Sequence, residues 1–226
     1  MKKRIVVLVS GGGTNLQALI DCIQNGKITN GEIVSVISST PDAFALQRAA
    51  KANIKGQVLN RKEFSDRQEY TAALTELVKQ NTPDLIVLAG FMCILSEDLC
   101  KLYENRIINV HPALIPSFCG DGFYGLRVHQ KALEKGVKIS GATVHFVNGI
   151  TDGGPIIAQK ATEVLEDDTP ESLQARIMVN CEQDILPRAV NLFCNDALKV
   201  VDNKVIIKKV IMKENKNEKT CNNQSY

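Results

Sequence analysis

Much of what would assign this chain at once is missing from it. No apolar run approaches the ~20 residues of a membrane span. The 27 basic residues meet 25 acidic ones, and a net charge of +2 makes no field for nucleic acid. Part of the positive charge is also local, with Lys204, Lys208, Lys209, Lys213, Lys216 and Lys219 near the C-terminus. Seven cysteines (Cys22, Cys93, Cys100, Cys119, Cys181, Cys194 and Cys221) are an odd number without a CxxC pair. That argues for reduced cytosolic thiols rather than a disulfide framework or a zinc site, and no other metal-ligand cluster stands out. No internal repeat is present. The first residues begin like a signal peptide, but the apolar part is short, alternates into Ser10 and runs into glycines, so it reads as a strand. The expectation is a cytoplasmic protein that binds neither nucleic acid nor membrane.

What is there is a regular alternation of strands and helices. Residues 4–10 read as a strand covered on both faces. Thr14 or Asn15 is expected to cap a helix to about residue 25, with Leu16, Leu19, Ile20 and Ile23 on one face. Strands follow at 33–38, 57–59, 85–88 and 107–110, with helices at 43–52, 65–80 and 96–103 between them. Residues 65–68 look like a capping box, and Ser96 starts the short helix. This pattern predicts an α/β fold with a doubly wound, mostly parallel sheet of about seven strands and helices on both faces. After Pro112 come a glycine-rich loop (113–125) and a helix (126–134) carrying His129, expected at the surface. Strands at 142–147 and 155–161 follow, then a long helix opened by Thr169 and Pro170, then a hairpin at 198–207. One domain, 1–212, is expected, with residues 213–226 a disordered polar tail.

Three stretches could carry chemistry. Asn109 and His111 lie two apart in a strand, hence on one face, and Pro112 stops the strand just beyond them. Carboxyl ends of strands in open α/β sheets are where ligands sit, so this pair suits acyl transfer, although a satisfied pair in a turn fits the same residues. Ser10-Gly-Gly-Gly-Thr-Asn15 lets backbone N–H groups approach an anion at a helix N-terminus. It matches neither G-x-G-x-x-G nor the nucleotide P-loop, and suits a monophosphate. Asp152, before Gly153, Gly154 and Pro155, is either a turn residue or a carboxylate that would raise the pKa of His111. Thr143 and His145 share a strand face and either line the site or are satisfied core groups. Cys119 lies close to the end of the His111 strand, but nothing nearby would activate it as a nucleophile.

Taken in order, five segments resemble the folate-dependent formyltransferases over residues 4–201: residues 9–17, 88–96, 108–116, 141–147 and 152–155. The Asn-x-His-Pro-x-Leu-x-Pro element (109–116) is shared across that superfamily. The glycine turn followed by Thr-Asn-Leu-Gln points to the branch acting on glycinamide ribonucleotide. The resemblance implies a Rossmann-like formyltransferase fold, as a monomer or homodimer. It also implies transfer of a formyl group from 10-formyltetrahydrofolate to the ribonucleotide amine through a tetrahedral intermediate, without a metal, as a step of de novo purine biosynthesis. Asn109, His111 and Asp152 match the catalytic trio. Asn109 and a protonated His111 would donate to the developing oxyanion, with Asp152 keeping His111 charged. Gly13, Thr14 and Asn15 match the phosphate site, and Glu182 a contact to the ribonucleotide. Arg67, Met92, Cys93, Ile94 and Leu95, with Asn109, match the formyl-folate side. Three departures stand out: Cys93 where Arg is common, a longer loop at 117–125, and one extra residue between Arg176 and Glu182. Relatives acting on tRNA are expected to need a further domain and a basic surface. Deformylases usually carry an N-terminal regulatory domain, and this sequence begins at strand one.

Overall fold

The computed structural model describes residues 1–208, so the expected polar tail lies outside the described residues. Its elements are β1 Lys3–Val9, α1 Thr14–Gln24, β2 Gly31–Ser38, α2 Phe44–Lys51, β3 Gly56–Val58 and α3 Arg67–Gln80. There follow β4 Leu85–Leu88, α4 Glu97–Leu102, β5 Ile107–His111, α5 Leu126–Lys135, β6 Ile139–Phe146 and β7 Ile156–Glu163. The chain continues with α6 Pro170–Ile177, α7 Gln183–Cys194, and the hairpin β8 Leu198–Val201 and β9 Lys204–Ile207.

Seven strands make one sheet in the order β3-β2-β1-β4-β5-β6-β7. The first five are mutually parallel, while β6 and β7 run antiparallel beside β5. Period-two alternation divides each central strand between two cores. Ile5, Val7 and Val9 of β1 face the core built with α1 and α7, whereas Val6 and Leu8 face the one built with α3 and α4. Strand order reverses between β1 and β4, and the crevice beyond their carboxyl ends is where such folds bind ligands.

Several local expectations need correction. The cap of α1 is Gly13 in the left-handed region (φ 70°), not Thr14 or Asn15, whose side chains are therefore free for other work. The cap of α3 is Asp66, accepting from the Glu69 N–H, while Glu69 reaches back to Ser65. Asp66 rather than Ser65 is the cap, and the expected box is replaced by a different arrangement in which Glu69 bonds the Ser65 N–H and hydroxyl instead of the cap's own N–H. His129 is fully buried rather than at the surface, sharing a face of α5 with Ala132.

The expected single long helix after Thr169 is three segments. Residues Met178–Glu182 wind as a π-helix between α6 and α7. A π turn takes up one more residue than an α turn. Glu182, at the end of this turn, is buried, and α7 beyond it packs its apolar residues into the core.

Candidate active site

The carboxyl ends of β1, β4 and β5 open into one cavity of about 980 Å³. Its walls are the glycine turn (10–15), the loop after β4 (88–95), the end of β5, and the loops at 120–125 and 147–152. Gln174, Met178 and Glu182 close its far side.

The glycine turn needs glycine at its last position. A Cβ on Gly13 would meet Ala45 Cβ at 2.6 Å, and its φ already lies in the left-handed region. Asn15 donates its amide N–H to Glu182 Oε2 at 2.6 Å, while its Oδ1 is buried without a partner among the described residues. Burial pushes the Glu182 carboxyl above the usual range, and the Asn15 hydrogen bond partly offsets this. Ser10 joins two walls. Its hydroxyl accepts from the Met92 N–H at 2.9 Å and meets Ser39 Oγ at 2.6 Å.

On the opposite wall, Arg67 stands at the head of α3 beside Met92, Cys93, Ile94 and Leu95. Leu95 is buried, but Met92 and Ile94 are half exposed and present apolar surface to the cavity. This is a wall suited to a flat ring, with one cation near it.

Between the walls lies a compact polar cluster. Asn109 and His111 end β5, and register places them opposite His145 and Thr143 of β6. His145 Nδ1 lies 2.8 Å from the Phe146 carbonyl, so in the neutral ring that nitrogen carries the proton and donates. Its Nε2 then accepts from the Asn109 amide at 3.2 Å, which orients the amide and leaves its second N–H to donate elsewhere. His111 Nε2 is 2.8 Å from the Phe118 carbonyl, and its Nδ1 is 3.5 Å from Asp152 Oδ2. Asp152 Oδ1 lies 3.5 Å from His145 Nε2, and Oδ2 accepts from the Gly120 N–H at 2.9 Å. One carboxylate therefore sits against both imidazoles.

The electrostatics modify the expectation for His111. Burial drops its pKa below the ordinary histidine value, more strongly than Asp152 and the Phe118 carbonyl raise it. Asp152 alone does not keep the ring charged in the resting protein. Burial pushes Asp152 upward, but the neighbouring imidazoles of His145 and His111 and the Gly120 N–H outweigh it and hold the carboxyl low. Burial and the neighbouring His111 push His129 down to about 4, so this ring is neutral at pH 7, with neither nitrogen bonded among the described residues.

Gly13, Thr14, Asn15, Arg67, Met92, Cys93, Ile94, Leu95, Asn109, His111, His145, Asp152 and Glu182 all meet at this cavity. Thr143 does not line it. Its hydroxyl donates to the Ala113 carbonyl and accepts from Ile115 N–H, tying down the loop after β5. The Cys119 thiol contacts the Pro116 carbonyl and is pushed up by burial and by Asp152, which leaves it inert. The Phe118 carbonyl, the Gly120 N–H and His129 were missed. Only His129 left a trace in the sequence, by its three-residue spacing from Ala132 on the apolar stripe.

Among the described residues, no group of three or more His, Cys, Asp or Glu is arranged to hold a metal, and no helix is long and apolar enough to cross a membrane. A profile of the family described as formyl transferase matches residues 3–190. The phosphoribosylglycinamide formyltransferase of Escherichia coli (strain K12) is 39% identical over 199 residues, which are 88% of this chain and 91% of that one. The trifunctional purine biosynthetic protein adenosine-3 of Drosophila melanogaster is 43% identical over 195 residues, 86% of this chain; the match spans 14% of that longer protein. Among solved structures, glycinamide ribonucleotide transformylase 1 from Symbiobacterium toebii superposes with a TM-score of 0.85 at 40% identity, covering 92% of this chain and 94% of that one.

Proposed function

This chain belongs to the formyl transferase family, and from that premise we propose that its cavity brings 10-formyltetrahydrofolate and glycinamide ribonucleotide together and passes the formyl group directly between them. The chain is a phosphoribosylglycinamide formyltransferase, a transferase of purine biosynthesis. The observation that carries the mechanism is the Asn109–His111–Asp152–His145 cluster, which lies between an anion cradle and an apolar wall in one cavity.

In this reading residues 1–212 are the single formyltransferase domain, acting in the cytoplasm. The glycine turn holds the ribonucleotide phosphate with backbone N–H groups, helped by the dipole of α1. Glu182 and the free Oδ1 of Asn15 accept hydrogen bonds from its hydroxyl groups, which satisfies the one buried acceptor left open there. Formyl-folate lies along Met92 to Leu95, with Arg67 near its anionic portion. The two meet at Asn109.

The amine attacks the formyl carbon, and charge builds on the formyl oxygen. The free N–H of the Asn109 amide donates to that oxygen without titrating. His111 Nε2–H exchanges the Phe118 carbonyl for the same oxygen, because an oxyanion is the stronger acceptor. The negative charge that develops favours the imidazolium that burial disfavours in the resting state, the ring taking a proton from solvent and returning it once the oxygen is a carbonyl again. Asp152 stabilises that cation and takes the amine proton through a water, for return to the leaving nitrogen. Collapse of the intermediate breaks the carbon–nitrogen bond to the folate and leaves the formyl group on the ribonucleotide.

The test is an assay of purified protein with formyl-folate, with and without glycinamide ribonucleotide. Formylated ribonucleotide forming in proportion to folate consumed supports the reading. Formate released at the same rate without the ribonucleotide would replace it with a hydrolase.

A further inference from the structure

The glycine turn is held from behind by α2 and the segment before it. Three successive carbonyls point that way: Ser10 O accepts from Thr40 Oγ1 at 3.2 Å, Gly11 O from the Ala45 N–H at 3.1 Å, and Gly12 O from Arg48 Nε at 2.8 Å. In a trans peptide the N–H lies opposite the C=O. The N–H groups of Gly11, Gly12 and Gly13 therefore face away from α2, and none of them has a backbone partner among the described residues. The cavity lies on that same side, lined by residues 10–15 and by no residue of α2.

Two of these ties are a backbone N–H and a short hydroxyl, set by the fold. The third depends on a long side chain. It restrains the Gly12–Gly13 peptide, which is flanked by glycine on both sides, a residue that tolerates either orientation of the peptide. Arg48 is itself fixed. Its Nη1 donates to Gln17 Oε1 at 3.1 Å, Gln17 donates onward to Asp21 at 2.8 Å, and the guanidinium lies 5.0 Å from the centre of the Phe44 ring.

We propose that Arg48 is a positioning residue for the phosphate cradle, holding the Gly12 carbonyl outward so that the Gly13 N–H is preset toward the substrate's phosphate. Gln17 orients Arg48 in turn. The inference rests on reading residues 11–15 as the phosphate site. Arg48 touches no reacting atom, so its loss affects binding of the phosphate-bearing substrate and spares the chemical step.

The experiment compares the full chain with Arg48→Met and Arg48→Lys, using inorganic phosphate as the probe. Wild-type protein checks the underlying reading: phosphate should compete with the ribonucleotide and not with formyl-folate. Arg48→Met should then raise both the KM for the ribonucleotide and the inhibition constant of phosphate about tenfold, the loss expected for one charge-assisted hydrogen bond. Its kcat and its KM for formyl-folate should stay within about twofold of wild type. Arg48→Lys retains one N–H donor and should recover part of the loss. If Arg48→Met does not fold, Gln17→Leu, which frees the guanidinium, should give a smaller change in the same direction. Unchanged phosphate inhibition in both variants overturns the role of Arg48 and leaves the cradle standing. A matching loss in kcat and in formyl-folate KM also overturns it, since that signals general disruption. Failure of phosphate to compete even in wild type removes the cradle itself.

Discussion

Replacing Gly154 with alanine tests how rigidly the fold holds Asp152. A Cβ on Gly154 would lie 1.8 Å from the Phe146 carbonyl oxygen and 2.8 Å from its carbon. That is about 1.6 Å short of where ordinary contact begins, and the obstacle is backbone rather than a side chain that can turn aside. Strand β6 is paired on both edges, so the loop at 147–155 must yield. The Phe146 N–H to Pro155 carbonyl bond at 2.9 Å would open, and Asp152, two residues away, would leave its 3.5 Å contacts with His111 and His145. Overpacking of this kind costs roughly 1–3 kcal/mol of stability. A misplacement of about 1 Å at a reacting centre can cost on the order of 10²-fold in turnover. Thermal unfolding and steady-state transfer measure the two effects. Gly149→Ala is the control on the same loop, because its added Cβ meets only the Glu97 side chain, in ordinary contact at 3.4 Å. Wild-type stability and turnover in Gly154→Ala would refute the claim that this loop is locked by its contact with Phe146.

Two further outcomes follow from the charges. Asp152→Asn removes the anion that favours the His111 cation, so the ring's titration, followed by NMR, should move to lower pH, while turnover falls on the order of 10²–10⁴-fold; an unmoved titration would mean the two groups are uncoupled. Asp168, paired with Arg176 at 2.5 and 2.6 Å, has its carboxyl held well below its ordinary value of 3.8. Because the folded pKa is depressed, this pair's contribution is present above that ordinary value and is lost as pH falls below it. Asp168→Asn should therefore cost roughly 1.5–3 kcal/mol near neutral pH, toward the low end because Arg176 is partly exposed, and less in acid, as read by denaturant unfolding.

Legibility in the sequence followed the range of the interaction. The glycine turn, the buried strands and the strand end at His111 rest on neighbouring residues, and the periodicity of Leu85–Leu88 is enough to place it. Strand direction is not local. Alternation in β6 reads the same whether it runs parallel or antiparallel to β5, and the long connection at 112–138 permits either, whereas the nine residues at 147–155 are too few for a parallel crossover to β7. The coupling of Asp152 to both His111 and His145 brings together three separate segments, so only the family resemblance could suggest part of it. The Phe118 carbonyl and the Gly120 N–H are backbone groups, which carry no residue-type signal at all. His129 was misplaced because a histidine on a polar helix reads as a solvent contact unless its spacing from Ala132 is weighed more heavily. For His111 the carboxylate that raises its pKa was legible, while the burial that lowers it further depends on the packed fold.

The central claim is that Asn109 acts on the transition state of formyl transfer and not merely on substrate binding. Single-turnover transfer by Asn109→Ala, with equilibrium binding of each substrate measured in parallel, tests it most directly. The account predicts that both substrates bind within a few-fold of wild type while the chemical step slows by about 10²–10³-fold, the loss expected for one oxyanion donor. A chemical step at the wild-type rate, or a defect confined to binding, would contradict it.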